Sequence, residues 1–469
     1  MIRFVLNGQK RVLEGLEPGR TVLEHLRLHE RLTATKEGCA EGDCGACTIV
    51  IGRPEDAAGL KFQAVNACIM LASELDGLVA LTADGLAQDN VLEQTQRAMV
   101  EHHGSQCGFC TPGIVMSLFA YTQTPEIDGA EARRAAIYDA LAGNLCRCTG
   151  YRPIMDAAQR LHHGEDKRAS AWRAMLDELE TEPDASAPRT MEALDALLAA
   201  KPGATLLGGG TDLGVAIAKH GRVPAAMISL RQVAGLNTIT ETDDALRIGA
   251  SATYSEILPY LDRHFPAFAG LVRRIGSVQI RNMGTMGGNV CNASPIGDSA
   301  PCLLALEARF WLRSASGKRI LKAEAFFIDY RKTALLAGEY LEAIEIPYVK
   351  PAEQFFAYKI AKRVDQDIST LAAAFWLRLD GDQMADVRAG FGGMAATPKR
   401  AKAVEKALQC VSLSDAAFAV AAAALAQDFA PLSDFRAPAE YRLQAAAGLL
   451  ARLGAALMEP EMATDIWAL

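Results

Sequence analysis

The 469-residue chain is 50% hydrophobic, 22% charged and 6% aromatic, which suits about two to four globular domains of ~100–200 residues each and excludes a fibrous or disordered chain. Its 48 Lys and Arg against 56 Asp and Glu leave a formal net charge of −8, poorly suited to neutralising nucleic-acid phosphates. The longest uncharged Ala-rich run, Ala416 to Ala426, is shorter than the ~20 residues of a membrane span, and the opening MIRFVLNGQK lacks a secretory apolar core, so a soluble, cytoplasmic protein with no nucleic-acid or membrane partner is expected.

The first residues predict a small α+β unit over 1–82. Ile2–Leu6 reads as a strand, Asn7-Gly8 as a tight hairpin turn, and Val12-Leu13 as the start of the return strand. Thr21 with Glu24 forms a capping-box pattern ahead of Val22, Leu23, Leu26 and Leu28. A loop rich in Gly and Cys follows, then the strand Thr48–Ile51. In that loop CAEGDCGAC places Cys39, Cys44 and Cys47 in a C-x4-C-x2-C spacing, with Cys68 downstream as a fourth thiol. This is the plant-type [2Fe–2S] spacing, in which one loop wraps a cluster from three sides. Gly38, Gly42 and Gly45 let amide N–H groups turn inward toward anionic sulfur. A structural zinc site is the alternative, although such sites usually carry two short Cys knuckles.

Residues 83–164 predict short helices: Val91–His103 capped by Asn90 and Glu93, Gly113–Tyr121 opened by Pro112, Ala130–Ala142 ending at Gly143, and Ile154–His163 opened by Pro153 and closed by Gly164. Between them lie Cys107 and Cys110 (C-x2-C) and Cys146 and Cys148 (C-x-C). Each pair precedes a helix-opening proline, so the helix dipoles favour negative charge there. By spacing alone, a second cluster, a zinc knuckle and a redox pair remain open. The adjacent pairs His102-His103 and His162-His163 do not share a helix face and read as solvated helix ends. Cys291, Cys302 and Cys410 read as buried small hydrophobes.

The charged stretch 165–190, with two prolines, reads as a linker. Strand-like runs then alternate with helical ones over 191–350: Thr205–Leu207, Met227–Leu230, Leu246–Ile248, Ala308–Leu312 and Glu342–Ile346. The segment 351–469 predicts strands Leu371–Leu379 and Val387–Phe391 and helices starting near Thr397 and Ser412. Two glycine-rich segments are suited to cradling phosphate through bare backbone N–H groups: LLGGGTDL (Leu206–Leu213) and SVQIRNMGTMGGN (Ser277–Asn289). Neither is a dinucleotide fingerprint, and the near-match at Gly390–Ala395 lacks a helix at the required place.

The runs CAEGDCGAC, QCGFCTPG and GNLCRCTGYRPI resemble the iron–sulfur portion of the molybdenum hydroxylases. The glycine-rich segments, with FFAYKIAKRVDQDIS and GFGGMAATPKRA, are similar to the FAD portion of the same family. The resemblance implies an α+β multidomain chain: a plant-ferredoxin-like β-grasp domain, a four-helix [2Fe–2S] domain, an FAD-binding domain of vanillyl-alcohol-oxidase type and a C-terminal α+β flavoprotein subdomain. It implies two [2Fe–2S] clusters, one on Cys39, Cys44, Cys47 and Cys68, the other on Cys107, Cys110, Cys146 and Cys148. It implies FAD held by Leu206, Leu207, Gly208, Gly209, Gly210, Thr211, Asp212 and Leu213, with Thr285, Met286, Gly287, Gly288 and Asn289 also on the pyrophosphate. Asp298, Leu341 and Lys359 match positions contacting FAD, and Ile275 stands where relatives often carry an aromatic residue near the flavin ring. Lys362–Asp367 matches a mobile segment near the flavin.

The chain leaves no room before Leu469 for a molybdopterin module, so the expected likeness is to the small subunit of a two-subunit xanthine dehydrogenase. A molybdopterin-containing large subunit would oxidise hypoxanthine and xanthine. Electrons would cross the helical-domain cluster, the β-grasp cluster and FAD to reach NAD, in a dimer of heterodimers. No catalytic residue is then expected on this chain. An aldehyde or N-heterocycle hydroxylase with another acceptor, or remotely a zinc-binding non-enzyme, is the alternative.

Overall fold

Period-2 alternation in the first strands sends successive side chains to opposite faces of a sheet. Phe4, Leu6, Ile49 and Ile51 pack on one face with Val22, Leu23 and Leu26. Val5, Val50, Phe62 and Val79 face the other way, against Ile114, Leu118, Phe119, Ile137 and Ile154. In the computed structural model, which describes residues 1–55, 59–179 and 187–461, these strands form a mixed five-stranded sheet. Its order is Gln9–Leu13, Ile2–Leu6, Val79–Leu81, Thr48–Pro54, Leu60–Asn66, with Ile2–Leu6 and Val79–Leu81 parallel and the other pairs antiparallel. Asn7 and Gly8 turn the first hairpin at φ 49° and 77°.

The Thr21/Glu24 capping box is present, but its α-helix spans only Val22–Glu24 before a π-turn over His25–His29. The four helices of the next region are Gln94–Glu101, Thr111–Thr122, Ala130–Leu141 and Arg152–Ala158. The largest shifts from expectation are at the start of the first helix and the end of the last. Asn90 is left-handed (φ 63°), and the cap is Glu93, paired with Gln96. The fourth helix ends at Ala158, and the Gly164 N–H goes instead to the Thr122 carbonyl.

The stretch 165–190, expected as a linker, contains the helix Ala169–Asp177, while 180–186 lies outside the described residues. Its Trp172 and Leu176 are buried, and Trp172 meets Phe62 edge-on with ring centroids 6.2 Å apart. An amphipathic face spaced i, i+4 explains the burial, because those two positions share one side of a helix.

Contacts divide the chain into two compact units. The first comprises Met1–Pro188, Ala204–Gln232 and Gly276–Gly284; the second comprises Arg189–Gly203, Val233–Ile275 and Thr285–Leu469. In the first unit Thr205–Leu207 and Met227–Ser229 are parallel strands joined through the helix Thr211–His220. The second unit holds two antiparallel sheets. One runs Gly317–Lys322, Arg309–Ser314, Tyr340–Pro347, Ala245–Gly249, Ile239–Glu241; the other runs Glu353–Ile360, Leu371–Asp380, Gln383–Gly392, Lys399–Arg400, with Val411–Ser412 also on Gln383–Gly392. Three helices flank the latter: Lys402–Leu408, Asp415–Asp428 and the 20-residue Ala439–Met458. The last was not anticipated, and the first starts five positions beyond Thr397. Gly390 lies on a strand against the Pro301 carbonyl, where a Cβ would stand 2.3 Å from that oxygen, so it serves close packing. Among the described residues no helix is long and apolar enough to cross a membrane.

Candidate functional site

The first thiol set is shaped by a loop that cannot be built without left-handed residues. Ala40, Gly42 and Gly45 have φ of 55°, 79° and 68°. The turns aim the N–H groups of Glu41, Asp43 and Cys44 at Cys39 Sγ, at 3.4, 3.3 and 3.4 Å. The Asn66 side-chain amide approaches Cys47 Sγ at 3.9 Å. A Cβ on Gly38 would stand 2.7 Å from Cys44 Sγ. The Cys39 thiol meets those of Cys44 and Cys68, and Cys47 meets Cys68. Hydrogen bonds among the four divide their acidities: Cys39 and Cys47 fall below the ordinary thiol value, whereas Cys44 and Cys68 rise above it.

In the second set Cys107 and Cys148 meet at the surface, and Cys110 meets Cys146 beneath them. Burial pushes the Cys110 thiol up to about 12. Three residues that the spacing argument did not single out shape this loop. Tyr151, left-handed at φ 67°, accepts the Cys146 N–H at 2.8 Å through its hydroxyl and donates to the Asn144 carbonyl at 3.2 Å. Thr149 Oγ1 stands 3.2 Å from Cys146 Sγ. All three lie inside GNLCRCTGYRPI, and no local rule marked their contacts.

The first set is thus a run of four thiols in mutual contact and the second two touching pairs. Among the described residues no three His, Cys, Asp or Glu side chains gather around one point as a single ion would need. Four thiols in contact, with inward N–H donors, fit a two-iron cluster, which takes four thiolates. The loops are also fastened to one another. The Leu145 N–H donates to the Cys44 carbonyl at 2.9 Å, and Asn144 Nδ2 donates to the Gly45 carbonyl at 3.2 Å. A Cβ on Gly45 would fall 2.1 Å from the Gly143 carbonyl oxygen, and one on Gly113 2.1 Å from that of Gly45, so glycine is required on both sides.

The glycine-rich segments divide between the units. In the first unit LLGGGTDL runs from strand to helix through Gly210, a left-handed N-cap (φ 70°) with no side-chain cap on the first helical N–H groups. A Cβ on Gly209 would stand 1.9 Å from the Met283 carbonyl oxygen. Leu207 is buried with Leu71 and Ile217 and serves the core; Asp212 is exposed. Residues 277–284, expected as part of the second cradle, form a short helix Val278–Arg281 fastened to the thiol region. Gln279 Nε2 donates to Ser117 Oγ and Asn144 Oδ1, both at 3.0 Å, and Asn282 Nδ2 donates to the Ala64 carbonyl at 2.9 Å.

In the second unit Thr285 caps the next helix by accepting the Gly288 N–H at 3.0 Å. Met286 and Gly287 are buried, Gly287 against Ala250, whereas Gly288 is exposed. Asn289 Oδ1 is enclosed without a hydrogen-bond partner, an acceptor left over at the segment the resemblance assigns to the flavin. Lys359 Nζ donates to Asp298 Oδ2 and to the Arg274 carbonyl, each at 2.8 Å, and Ser369 donates to Asp298 Oδ1 at 2.5 Å. Two of the residues expected to contact FAD, Lys359 and Asp298, thus form a buried pair with each other. Leu341 lies in the core opposite Leu312, and Ile275 packs half-buried on the same core. The loop Lys362–Asp367 is pinned by Arg363 to Asp367 and by Arg274 Nε to the Val364 carbonyl at 3.3 Å. Cys302 is buried as expected and Cys291 half-buried; Cys410 instead is exposed on a left-handed turn, φ 60°, at the edge of a helix and strand.

Comparison with known proteins adds four family matches in chain order: a 2Fe-2S iron-sulfur cluster binding domain over 4–73, a [2Fe-2S] binding domain over 82–159, the FAD binding domain in molybdopterin dehydrogenase over 181–349 and the CO dehydrogenase flavoprotein C-terminal domain over 356–456. Xanthine dehydrogenase of Emericella nidulans is 31% identical over 91% of this chain. The chain spans about a third of that relative's length, 36%. Among solved structures, CO dehydrogenase from Oligotropha carboxidovorans is 31% identical with a TM-score of 0.54, over 56% of this chain and 93% of the other. Quinoline 2-oxidoreductase from Pseudomonas putida 86 is 25% identical with a TM-score of 0.53, over 57% and 93%. The chain thus carries two [2Fe–2S] domains and an FAD-binding domain.

Proposed function

The chain belongs to the molybdenum hydroxylase family, as its iron–sulfur and FAD portion, and from that premise we propose that it is the electron-transfer subunit of an NAD-dependent xanthine dehydrogenase. The observation that carries the reading is the sequence of two thiol quartets and an FAD-binding domain in one chain, similar over most of its length to a xanthine dehydrogenase. Bound there, the clusters pass single electrons and the flavin converts them to the two-electron transfer a nicotinamide accepts. The eight N-terminal cysteines hold the iron. Leu206–Leu213 and Thr285–Asn289 hold the flavin phosphates on this reading, the first through N–H groups that no side chain caps. A molybdopterin-containing partner oxidises hypoxanthine to xanthine and urate, and two-fold pairing gives a dimer of heterodimers. The domains of this reading are 1–82, 83–164, 191–350 and 351–469.

A second reading keeps the subunit and changes the substrate and acceptor, as in an aldehyde or N-heterocycle hydroxylase. The similarity to quinoline 2-oxidoreductase and the aliphatic Ile275 favour it. Purification with the native partner, followed by turnover with xanthine and NAD, tests the first reading. Turnover of a quinoline or an aldehyde with an artificial acceptor, and none of xanthine, would transfer the assignment to the second.

A further inference from the structure

The hydroxyl of Thr149 stands between a backbone donor and a cysteine sulfur. Its oxygen accepts the Tyr151 backbone N–H at 3.1 Å and stands 3.2 Å from Cys146 Sγ. A hydroxyl carries one proton and two lone pairs, and a thiolate ligand has no proton to give. Across the Thr149–Cys146 contact the hydroxyl is therefore the donor when Cys146 is a thiolate. The Tyr151 ring hydroxyl accepts the Cys146 N–H and donates to the Asn144 carbonyl, closing the loop that holds both Cys146 and Thr149. Cys146 itself is buried. Backbone N–H groups reach sulfur in both sets, those of Thr149 and Cys148 at Cys146 and those of Glu41, Asp43 and Cys44 at Cys39, so what sets Cys146 apart is the added hydroxyl of Thr149.

We propose that Thr149 is a positioning residue that raises the reduction potential of the cluster held by Cys107, Cys110, Cys146 and Cys148. One-electron reduction adds a negative charge that spreads over the cluster and its thiolates. A hydroxyl donor on one thiolate stabilises the reduced form more than the oxidised form, because a charge-assisted hydrogen bond strengthens as charge on the acceptor grows. Hydrogen bonds to cluster sulfur are a recognised lever on such potentials. No proton is transferred; the electron enters the cluster and the hydroxyl stays protonated. The effect is selective, since the first set has no contact of this geometry through Thr149. The inference rests on the iron–sulfur reading above.

The test is a redox titration of the full chain followed by EPR, comparing the natural protein with Thr149→Val, Thr149→Ala and Thr149→Ser. The expected result is two cluster signals and unchanged iron in all four proteins. One signal should titrate at more negative potential in Thr149→Val and Thr149→Ala, with the other cluster and the flavin unmoved, and Thr149→Ser should return it to the natural value. An unmoved midpoint in the Val and Ala variants, or a Ser variant displaced as far as they are, overturns the proposal. Loss of the cluster in both Val and Ala also overturns it, since Thr149 would then hold the loop together rather than tune it. A natural protein without iron would overturn the underlying reading instead.

Discussion

Eight thiols in two touching sets make the sharpest statement at the scale of single residues. Replacing a ligand thiolate by a hydroxyl weakens one set and leaves the other intact, since each quartet draws its ligands from its own loops. Cys44→Ser should disturb one cluster EPR signal and Cys148→Ser the other, in a protein that otherwise carries about four iron per chain. Loss of both signals in either variant would contradict two independent sets. The grouping of these thiols was legible in the sequence because residue identity and spacing are local. The residues that orient them were not: Asn144 and Gln279 meet across 135 positions of chain, and nothing local predicts such a bond. Glu74 was equally silent. It is buried, accepts a hydrogen bond from Ser229 at 3.1 Å, and burial raises its carboxyl above the ordinary 4.5 despite Arg231 nearby. A carboxyl with a raised folded value contributes its stability fully below its unfolded value and loses it as pH rises through the folded one. Glu74→Gln keeps an acceptor for Ser229 and carries no charge, so its melting temperature should decline less than that of the natural protein from about pH 4.5 upward. Equal slopes in a pH series of thermal melts would refute this.

Elements show where local chemistry decides and where packing overrides it. The Thr21 capping box and the proline-opened helix Thr111–Thr122 follow directly from residue type. Asn90 and Glu93 are both capping candidates, and the choice fell to Glu93 because its carboxylate and the Gln96 side chain satisfy each other's backbone N–H groups. The long helix Ala439–Met458 escaped notice because its Ala- and Gly-rich face gives a weak apolar stripe, yet it buries Leu449, Leu450, Leu453 and Leu457. Its buried Arg442 donates to the Gly393 carbonyl at 2.9 Å and to Asp434 at 2.8 Å, tying helix to sheet. Charge and proline content obscured the helix Ala169–Asp177 in the same way. Three buried apolar residues, Ala169, Trp172 and Leu176, dock it, and Trp172 also stacks with the Arg168 guanidinium 4.7 Å from the ring centroid. Trp172→Ala should therefore cost ~3–5 kcal/mol in denaturant unfolding, the usual range for emptying a large aromatic site. A change of a few tenths would mean that the helix is a tether after all.

At the scale of the whole molecule, chain order and compact units do not coincide. The first unit takes in Ala204–Gln232 and Gly276–Gly284, two segments that sequence order would assign to the flavin region. Hydrogen bonds explain the second of these: Gln279 and Asn282 leave few polar groups of that segment free to serve anything but the thiol region. The thiol region and Gly276–Gly284 are thus parts of one packed body, and on the proposed reading the clusters and flavin of this chain exchange electrons without any other chain. The protein expressed by itself should contain iron and releasable FAD, since no His or Cys lies in either glycine-rich segment to tether a flavin covalently. It should oxidise NADH and reduce an artificial dye, drawing on the flavin and clusters alone. It should not hydroxylate xanthine, because water oxygen must be activated for transfer to carbon, and the proposed centre for that step lies on the partner. The measurement is dye reduction and xanthine turnover on the same sample, with molybdenum determined alongside. NADH oxidation without xanthine turnover agrees with a pure electron-transfer subunit. Xanthine turnover accompanied by bound molybdenum would place the catalytic site on this chain, and iron-replete protein inert to NADH would remove NAD as its acceptor.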